Sequence, residues 1–414
     1  MPTRRGFAAL AAGLGLYIAA RFVGSDDLHM VAVGIVALPF LAAAFVQWNR
    51  VRLGIHRHLS AVRVFPGTRV NVTLTVENQG LSTTPFLLLE DTLPSSLGRS
   101  ARLVVTGVPQ GGKQRVSYSV VTRQRGRYTL GPLSIQITDP FGLARVRMQT
   151  AAMNDLIVYP VVEELDRWAL GMHGAGAGES TVRQLFRSAA EFYTMREYVT
   201  GDDLRRIHWP SVARTGHLMI RQDESTRRSI ATVFLDNRSA ALGASGSPAF
   251  ERAVSVTATL GRVLLQAGFA VRFATVDSPA ALVSEGALLE SLAAASPVRV
   301  RGTGEVLTAL RETGRGDTSL VFVSSPPMAG EIPALIRAGT AFGRKVAVFV
   351  YPVDPSVLPP GQAAELEGRA AGGRGSLQHA GWEVYVLPPD GRLADVWRPS
   401  RQPRRLKAAG SSSS

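Results

Sequence analysis

IATVFLD (Ile230–Asp236) decides how the second half of this chain folds. Six residues without polar alternation, followed by a carboxylate, suit a strand buried on both faces rather than one with a wet side. Similar runs recur at Ala270 to Val276, Ser319 to Val323, Val346 to Tyr351 and Glu383 to Leu387. Helical stretches such as Phe250 to Gln266, Ala280 to Ala295, Glu331 to Phe342 and Gln362 to Ala371 lie between them. Strands alternating with helices predict a doubly wound, mainly parallel α/β sheet. Ligands of open parallel sheets sit at the carboxyl ends of the strands, which makes Asp236 the first residue to test.

Just upstream, FYTMREYVTGDDLRRIHWPSVARTGHLMIR (Phe192–Arg221) crowds Arg196, Asp202, Asp203, Arg205, Arg206, His208, Trp209 and Arg214 together. Asp202 after Gly201 is placed to cap a short helix that Pro210 ends, Ser211 to cap a second turn, and Gly216 to close it before a strand-like HLMI. Asp202, Asp203 and His208 can be drawn as acid–base machinery. The spacing opposes the simple version: His208 is five residues from Asp203 and six from Asp202, so a helix stacks neither carboxylate beneath the imidazole. The competing reading has Asp202 capping, Arg205 and Arg214 satisfying carboxylates or carbonyls, and Trp209 packing under the sheet. On that reading the ionic cluster fixes one geometry.

The order Arg196-x-Tyr198-x-x-Gly201-Asp202-x-x-Arg205-x-Ile207-His208-Trp209-x-x-x-Ala213-Arg214 is similar to the signature of the bacterial family called domain of unknown function 58. A second similarity is Asp139-Pro140-Phe141-Gly142-Leu143 after Arg125-Gly126-Arg127-Tyr128, followed by Tyr159-Pro160. The resemblance implies a membrane-anchored protein with a von Willebrand factor A-like region, associated with MoxR-type AAA+ ATPases. No established reaction comes with it. In von Willebrand A domains an Asp-x-Ser-x-Ser sequence after the first strand brings a carboxylate and two hydroxyls to magnesium, a cation that prefers oxygen. Here those positions hold Asp236, Arg238 and Ala240. Arginine cannot ligate a cation and alanine offers no oxygen, so Asp236 is expected to cap the next helix or pair with an arginine. No cofactor is expected, magnesium at Asp236 being the weak candidate.

From Val51 to Gln149 the period is two: Val70, Val72, Leu74 and Val76 alternate with Asn71, Thr73, Thr75 and Glu77, and Val116, Tyr118 and Val120 repeat the pattern. Turn residues at Asn78-Gln79-Gly80, Pro94-Ser95-Ser96 and Gly131-Pro132 separate the runs, which predicts a β-sandwich, immunoglobulin-like in architecture. GVPQGGK (Gly107–Lys113) has the glycine and lysine spacing of a phosphate loop. Gln114 stands where a magnesium-binding hydroxyl belongs and a strand follows instead of a helix, so it reads as a turn. Arg99 to Thr138 holds seven basic residues and no acid; a solvated face near acidic lipid headgroups accounts for them.

Phe7 to Val23 and Met30 to Val46 are apolar runs at the short end of what crosses a bilayer, joined by Gly24-Ser25-Asp26-Asp27. Arg4 and Arg5 precede them and Arg50, Arg52 and Arg57 follow, whereas the connection is acidic. Positive flanks place both ends, and the soluble mass, in the cytoplasm of a multi-pass cell-membrane protein. Thr3-Arg4-Arg5-Gly6-Phe7 also resembles a twin-arginine export signal, with Ile18-Ala19-Ala20 as a cleavage site, but the second apolar run follows at once. The net charge of +14 fits Arg-rich membrane flanks as well as a nucleic acid, and no nucleic-acid module stands behind it. With no cysteine, disulfides and thiol chemistry are excluded.

The expected division is a transmembrane hairpin (1–50), the β-sandwich (51–150), a connecting strand and Gly-rich linker (151–190), the signature element with a von Willebrand A-like domain (191–397), and a disordered basic tail (398–414). GxSxG, HExxH and kinase motifs are missing from the sequence. The leading expectation is a non-enzymatic scaffold or adaptor, held in the lipid bilayer, that engages a protein partner; the resemblance points to a MoxR-type AAA+ ATPase. The alternative is a divalent-metal-dependent hydrolase or nucleic-acid-processing enzyme using Asp202, Asp203 and His208. An extracytoplasmic adhesion protein would require the export reading.

Overall fold

The computed structural model describes residues 2–48, 53–81, 83–84, 86–150, 152–165, 194–199, 207, 209–222, 229–300, 302–316 and 318–397. The Gly-rich linker at 172–180 and the tail at 398–414 lie outside these. The chain divides into two compact units, Met1–Pro160 and Val161–Ser414.

The first unit opens with helix α1 (Arg4–Val23) and helix α2 (Asp26–Trp48), both long and apolar enough to cross a membrane. Thr3 caps α1, its hydroxyl accepting from the Gly6 amide at 3.1 Å. Small residues let the helices approach: Ala20 and Ala32 are fully buried, and a side chain at Gly13 would meet Val36. The outward faces leave Phe7, Leu14, Phe22, Met30, Phe40 and Leu41 exposed. A surface of that kind suits hydrocarbon rather than water.

Among the described residues, ten strands follow in this unit: β1 (Leu53–Leu59), β2 (Arg63–Val64), β3 (Arg69–Asn78), β4 (Leu87–Asp91), β5 (Ala101–Val105), β6 (Lys113–Val121), β7 (Gly126–Leu130), β8 (Leu133–Thr138), β9 (Arg145–Thr150) and β10 (Asn154–Val158). Antiparallel sheets β1-β3-β6 and β5-β4-β8-β9 face each other, and β2-β10-β7 forms a third, smaller sheet. The alternation along β3 puts Val70, Val72, Leu74 and Val76 inside, where Leu74 and Val76 meet Leu87 and Leu89 of β4 and Ile135 and Ile137 of β8. Ala42 and Val46 of α2 enter this same core, so the helical hairpin is rooted in the β-rich layers. β10 pairs antiparallel with β7 and parallel with β2. GVPQGGK is a connection into β6, with the Gly112 amide donating to the Pro109 carbonyl at 2.9 Å. The seven-base stretch is partly neutralised by acids on adjacent strands, through Arg102–Glu90, Lys113–Glu77 and Arg127–Asp155.

One ionic group of this unit is sealed inside. Arg57 binds Asp91 through Nη2–Oδ1 at 2.6 Å and Nε–Oδ2 at 3.1 Å, and Nη1 donates to the carbonyls of Leu130 and Ala152 and to Asn154. Tyr118 donates its hydroxyl to Asp91 at 2.6 Å. Burial first, then that hydrogen bond, push the Tyr118 phenol far above its ordinary range, so it stays a donor.

The second unit holds β11 (Thr194–Glu197), β12 (Met219–Gln222), β13 (Ile230–Leu235), β14 (Ala270–Thr275), β15 (Ala281–Val283), β16 (Ser319–Ser324), β17 (Arg344–Val350) and β18 (Glu383–Leu387). Six form one sheet in the order β15-β14-β13-β16-β17-β18, parallel except for β15 at the edge. Phe234, Phe322 and Phe349 pack with Leu310, Leu335, Leu377 and Trp382 in its core. Segment 161–165 is tied to this unit by the Arg252–Glu163 ion pair and by the Leu393 amide, which donates to Glu163 at 2.9 Å.

The helix Ile332–Gly339 presses its last residue onto Trp382, leaving no room for a Cβ at Gly339. Gly339→Ala is therefore expected to cost about 1–3 kcal/mol through overpacking. A lowered thermal midpoint of the detergent-solubilised protein would show it.

Candidate functional site

In an open parallel sheet the binding crevice opens where the strand order reverses. Here that point lies between β13 and β16, and their carboxyl ends bring together Asp236, Ser324 and the following loops. Asp236 is 0% exposed. Its carboxylate is clamped by Arg238, with Nε to Oδ1 at 2.8 Å and Nη2 to Oδ2 at 2.7 Å. The Arg238 amide adds a bond to Oδ1 at 3.2 Å, and the Ser324 hydroxyl donates to Oδ2 at 2.6 Å.

Arg238 spends its remaining guanidinium nitrogen on Glu331, Nη1 to Oε1 at 2.7 Å, and the other Glu331 oxygen accepts from the Met328 amide at 3.0 Å. Burial of Arg238 disfavours its charge, but the hydrogen bonds and charges of Asp236 and Glu331 outweigh this and hold its proton more tightly than usual. The two-residue spacing explains the geometry: Arg238 leaves the strand end in an extended conformation and folds its fork back on the carboxylate two residues earlier. Asp236 therefore does not cap the helix Ser239–Leu242, whose start has no side-chain cap.

A divalent cation would need the carboxylate oxygens that the guanidinium now holds. The guanidinium of Arg238 occupies both oxygens of Asp236, and the hydroxyl that reaches the carboxylate is that of Ser324. Among the described residues, no three His, Asp or Glu side chains are gathered as a metal-binding group.

Beside the clamp, Asn237 stitches the crevice loops together. Its amide nitrogen donates to Asp277 at 2.8 Å and to the Ser296 carbonyl at 3.0 Å, while its oxygen accepts from the Val276 amide at 3.0 Å. Burial opposes ionisation of Asp277, yet the hydrogen bonds from Asn237 and Thr275 prevail and hold its carboxyl below the ordinary range. Next to it opens a cavity of about 350 Å³, floored by Phe234, Val306 and Leu310 with Asp277 and Glu305 among its lining residues.

The signature stretch is described in part. β11 and β12 pair antiparallel with Arg196 opposite Ile220, and the Tyr198 amide donates to the Leu218 carbonyl at 2.8 Å. A helix runs from Trp209 to Thr215, and the Gly216 amide closes it on the Val212 carbonyl at 2.9 Å. Pro210 thus stands in the first turn of this helix, a position its fixed φ and missing N–H suit; most of the helix expected before it lies outside the described residues. Ser211 lies inside the helix and does not cap it. Trp209 does not pack under the sheet: it is 66% exposed, and Arg214 is exposed as well. Gly201, Asp202, Asp203, Arg205 and His208 lie outside the described residues.

Neither Glu331 nor Asp277 is marked by the sequence. Ser324 is placed at a strand end by the apolar run before it, but nothing in the run names its partner.

Residues 194–349 match the model of a family described as "Protein of unknown function DUF58". The chain is 25% identical over 229 residues to "Uncharacterized protein YeaD" of Bacillus subtilis, an alignment covering 53% of this chain and 55% of that protein; the chain thus spans about half the length of this curated relative. Among solved structures, a CARDB domain from Pyrococcus furiosus aligns at 12% identity over 26% of this chain and 93% of its own, with a TM-score of 0.20. The DNA glycosylase AlkC of Pseudomonas fluorescens aligns at 12% identity over 36% of this chain and 42% of its own, with a TM-score of 0.19. Scores at that level establish no common fold.

Proposed function

We propose that this chain, whose residues 194–349 carry the DUF58 region, is a membrane-anchored, non-enzymatic scaffold whose α/β unit docks a protein partner. The observation behind this is the clamp of Arg238 on Asp236 at the sheet's switch point. A carboxylate fully engaged by an arginine, a hydroxyl and an amide neither moves protons nor grips a cation; it fixes the shape of the loops around it.

The sheet order, with Asp236 closing the first parallel strand, supports reading this unit as von Willebrand A-like. The two facing antiparallel sheets of the first unit support the immunoglobulin-like reading. The exposed apolar faces of α1 and α2 support insertion in the bilayer, and the basic flanks support a cytoplasmic position for both units. Trp209 and Arg214 are the exposed signature residues offered to a partner, tryptophan and arginine being the residue types that dominate binding energy at interfaces. The family resemblance makes a MoxR-type AAA+ ATPase the partner to test.

Affinity capture from solubilised membranes tests this reading. The wild-type chain is expected to retain the ATPase, and Trp209→Ala or Arg214→Ala to reduce its recovery by at least about tenfold, the effect of losing a central aromatic or arginine anchor. Recovery unaffected by either substitution would remove this surface from the account.

A further inference from the structure

The root of the helical hairpin is built into one end of the β layers. The Thr3 amide donates to the Leu143 carbonyl at 2.8 Å, and the Thr3 hydroxyl donates to the Gly142 carbonyl at 2.6 Å. Gly6 packs so closely on the Leu143 carbonyl that a Cβ there would collide with it. Asp139 holds this loop in shape, accepting from the Phe141 amide at 2.9 Å and the Ala144 amide at 2.5 Å. On α2, Ala42 and Val46 are buried in the core shared with Leu53, Leu143 and Val146. The height of this end of the β layers relative to the helices is therefore fixed.

Strand register identifies which loops share that end. Leu53, where β1 begins, pairs with Asn78, where β3 ends; Leu87, where β4 begins, pairs with both Val105 and Ile137. The described residues 79–81, 86 and 139–144 therefore emerge together, beside the hairpin root. They carry Leu81 at 89% exposure, Phe86 at 49% and Phe141 at 68%. Nothing in their own strands calls for large apolar groups at these positions, and in water they would be a liability.

Helix length supplies the reason. The apolar run 7–23 of α1, with Arg21 near its end, rises about 25 Å at 1.5 Å per residue, somewhat under a hydrocarbon core of about 30 Å. α2 in addition turns part of its last two turns toward the β core. Apolar surface at its lower rim would complete a span at the short end of the range.

Building on the membrane-anchored reading above, we infer that Leu81, Phe86 and Phe141 form an apolar foot by which the β layers sink into the lipid interface around the hairpin. The occupant is the acyl and headgroup boundary of the bilayer, and Arg5, exposed beside Gly142, sits at the level where anionic headgroups would meet it. The β layers are then a partly immersed collar on the hairpin, and the foot fixes how the first unit is oriented toward the membrane.

The chain has no cysteine, so single-cysteine variants of the full protein report one position each. Leu81→Cys, Phe141→Cys, Phe40→Cys and Val62→Cys are labelled with an environment-sensitive fluorophore and reconstituted into phosphatidylcholine–phosphatidylglycerol vesicles containing spin-labelled lipid. Phe40 is an exposed α2 position, and Val62 is exposed at the opposite end of the β layers. Labels at Leu81 and Phe141 are expected to shift to the blue and be quenched nearly as strongly as at Phe40, with Val62 unquenched. Quenching at Leu81 and Phe141 no greater than at Val62, with Phe40 quenched, would overturn the foot and leave the anchor standing. A blue shift at both without lipid quenching would also overturn it, showing a protein surface as the occupant. An unquenched Phe40 would sink the membrane reading and the foot with it.

Discussion

Arg238→Ala is expected to destabilise the second unit by about 3–5 kcal/mol, because it strands a buried carboxylate. Asp236 would keep the Ser324 hydroxyl and the backbone amide of residue 238 but lose both charge-assisted bonds of the guanidinium. The reverse truncation is milder. In Asp236→Ala, Arg238 keeps Glu331, which is partly exposed, so a loss of about 1–3 kcal/mol is expected. Replacing both members by apolar residues, Asp236→Leu with Arg238→Met, should recover much of the loss, since a buried pair contributes little net stability compared with a well-packed apolar core. Urea midpoints of the four proteins test this. Equal, small losses for both single variants would mean that the pair is not buried in solution.

Arg57→Ala is the second large effect, again about 3–5 kcal/mol, and it falls on the first unit. The side chain serves four partners at once: Asp91, the Leu130 and Ala152 carbonyls, and the Asn154 amide oxygen. Its removal leaves Asp91 with the Tyr118 hydroxyl and leaves the carbonyls without this donor. Arg57→Lys should restore only part of the loss, since an ammonium cannot reproduce the two-pronged contact at Nε and Nη2. The loss should appear in the β-rich transition, with the second unit's midpoint unmoved. A wild-type midpoint for Arg57→Ala would contradict the burial of the pair.

How far the sequence leads differs between the two units. A continuous apolar run locates β13 to the residue, because a strand buried on both faces tolerates little else, and the run 383–387 locates β18, a half-buried strand at the sheet edge. The helix Pro360–His379 is read from the sequence only over Gln362 to Ala371, short of Gly372-Gly373. In the structure Gly373 lies against Pro327 and Phe349, and that close packing offsets the low helix propensity of glycine. β15 is absorbed into the predicted stretch Ala280 to Ala295 because three residues are too few to show a period.

At the candidate site, the eroded Asp236-x-Arg238-x-Ala240 pattern is legible, and so is an arginine partner for Asp236. That the partner is Arg238 itself follows from chain direction at the strand end, which a residue string does not carry. Glu331 comes from 93 residues away and Asp91 from 34 residues beyond Arg57, so nothing local signals either. Trp209 fails for a different reason: a large aromatic reads as core by default, whereas this one is solvent-facing on a short helix whose start Pro210 sets.

Divalent-cation titration of the solubilised protein tests the central claim most directly. With Arg238 seated on Asp236, calorimetry with magnesium or manganese is expected to show no saturable binding that depends on Asp236, so that wild type and Asp236→Asn give the same trace. Saturable binding in the wild type that disappears in Asp236→Asn would show an aspartate free to ligate, and would contradict the account.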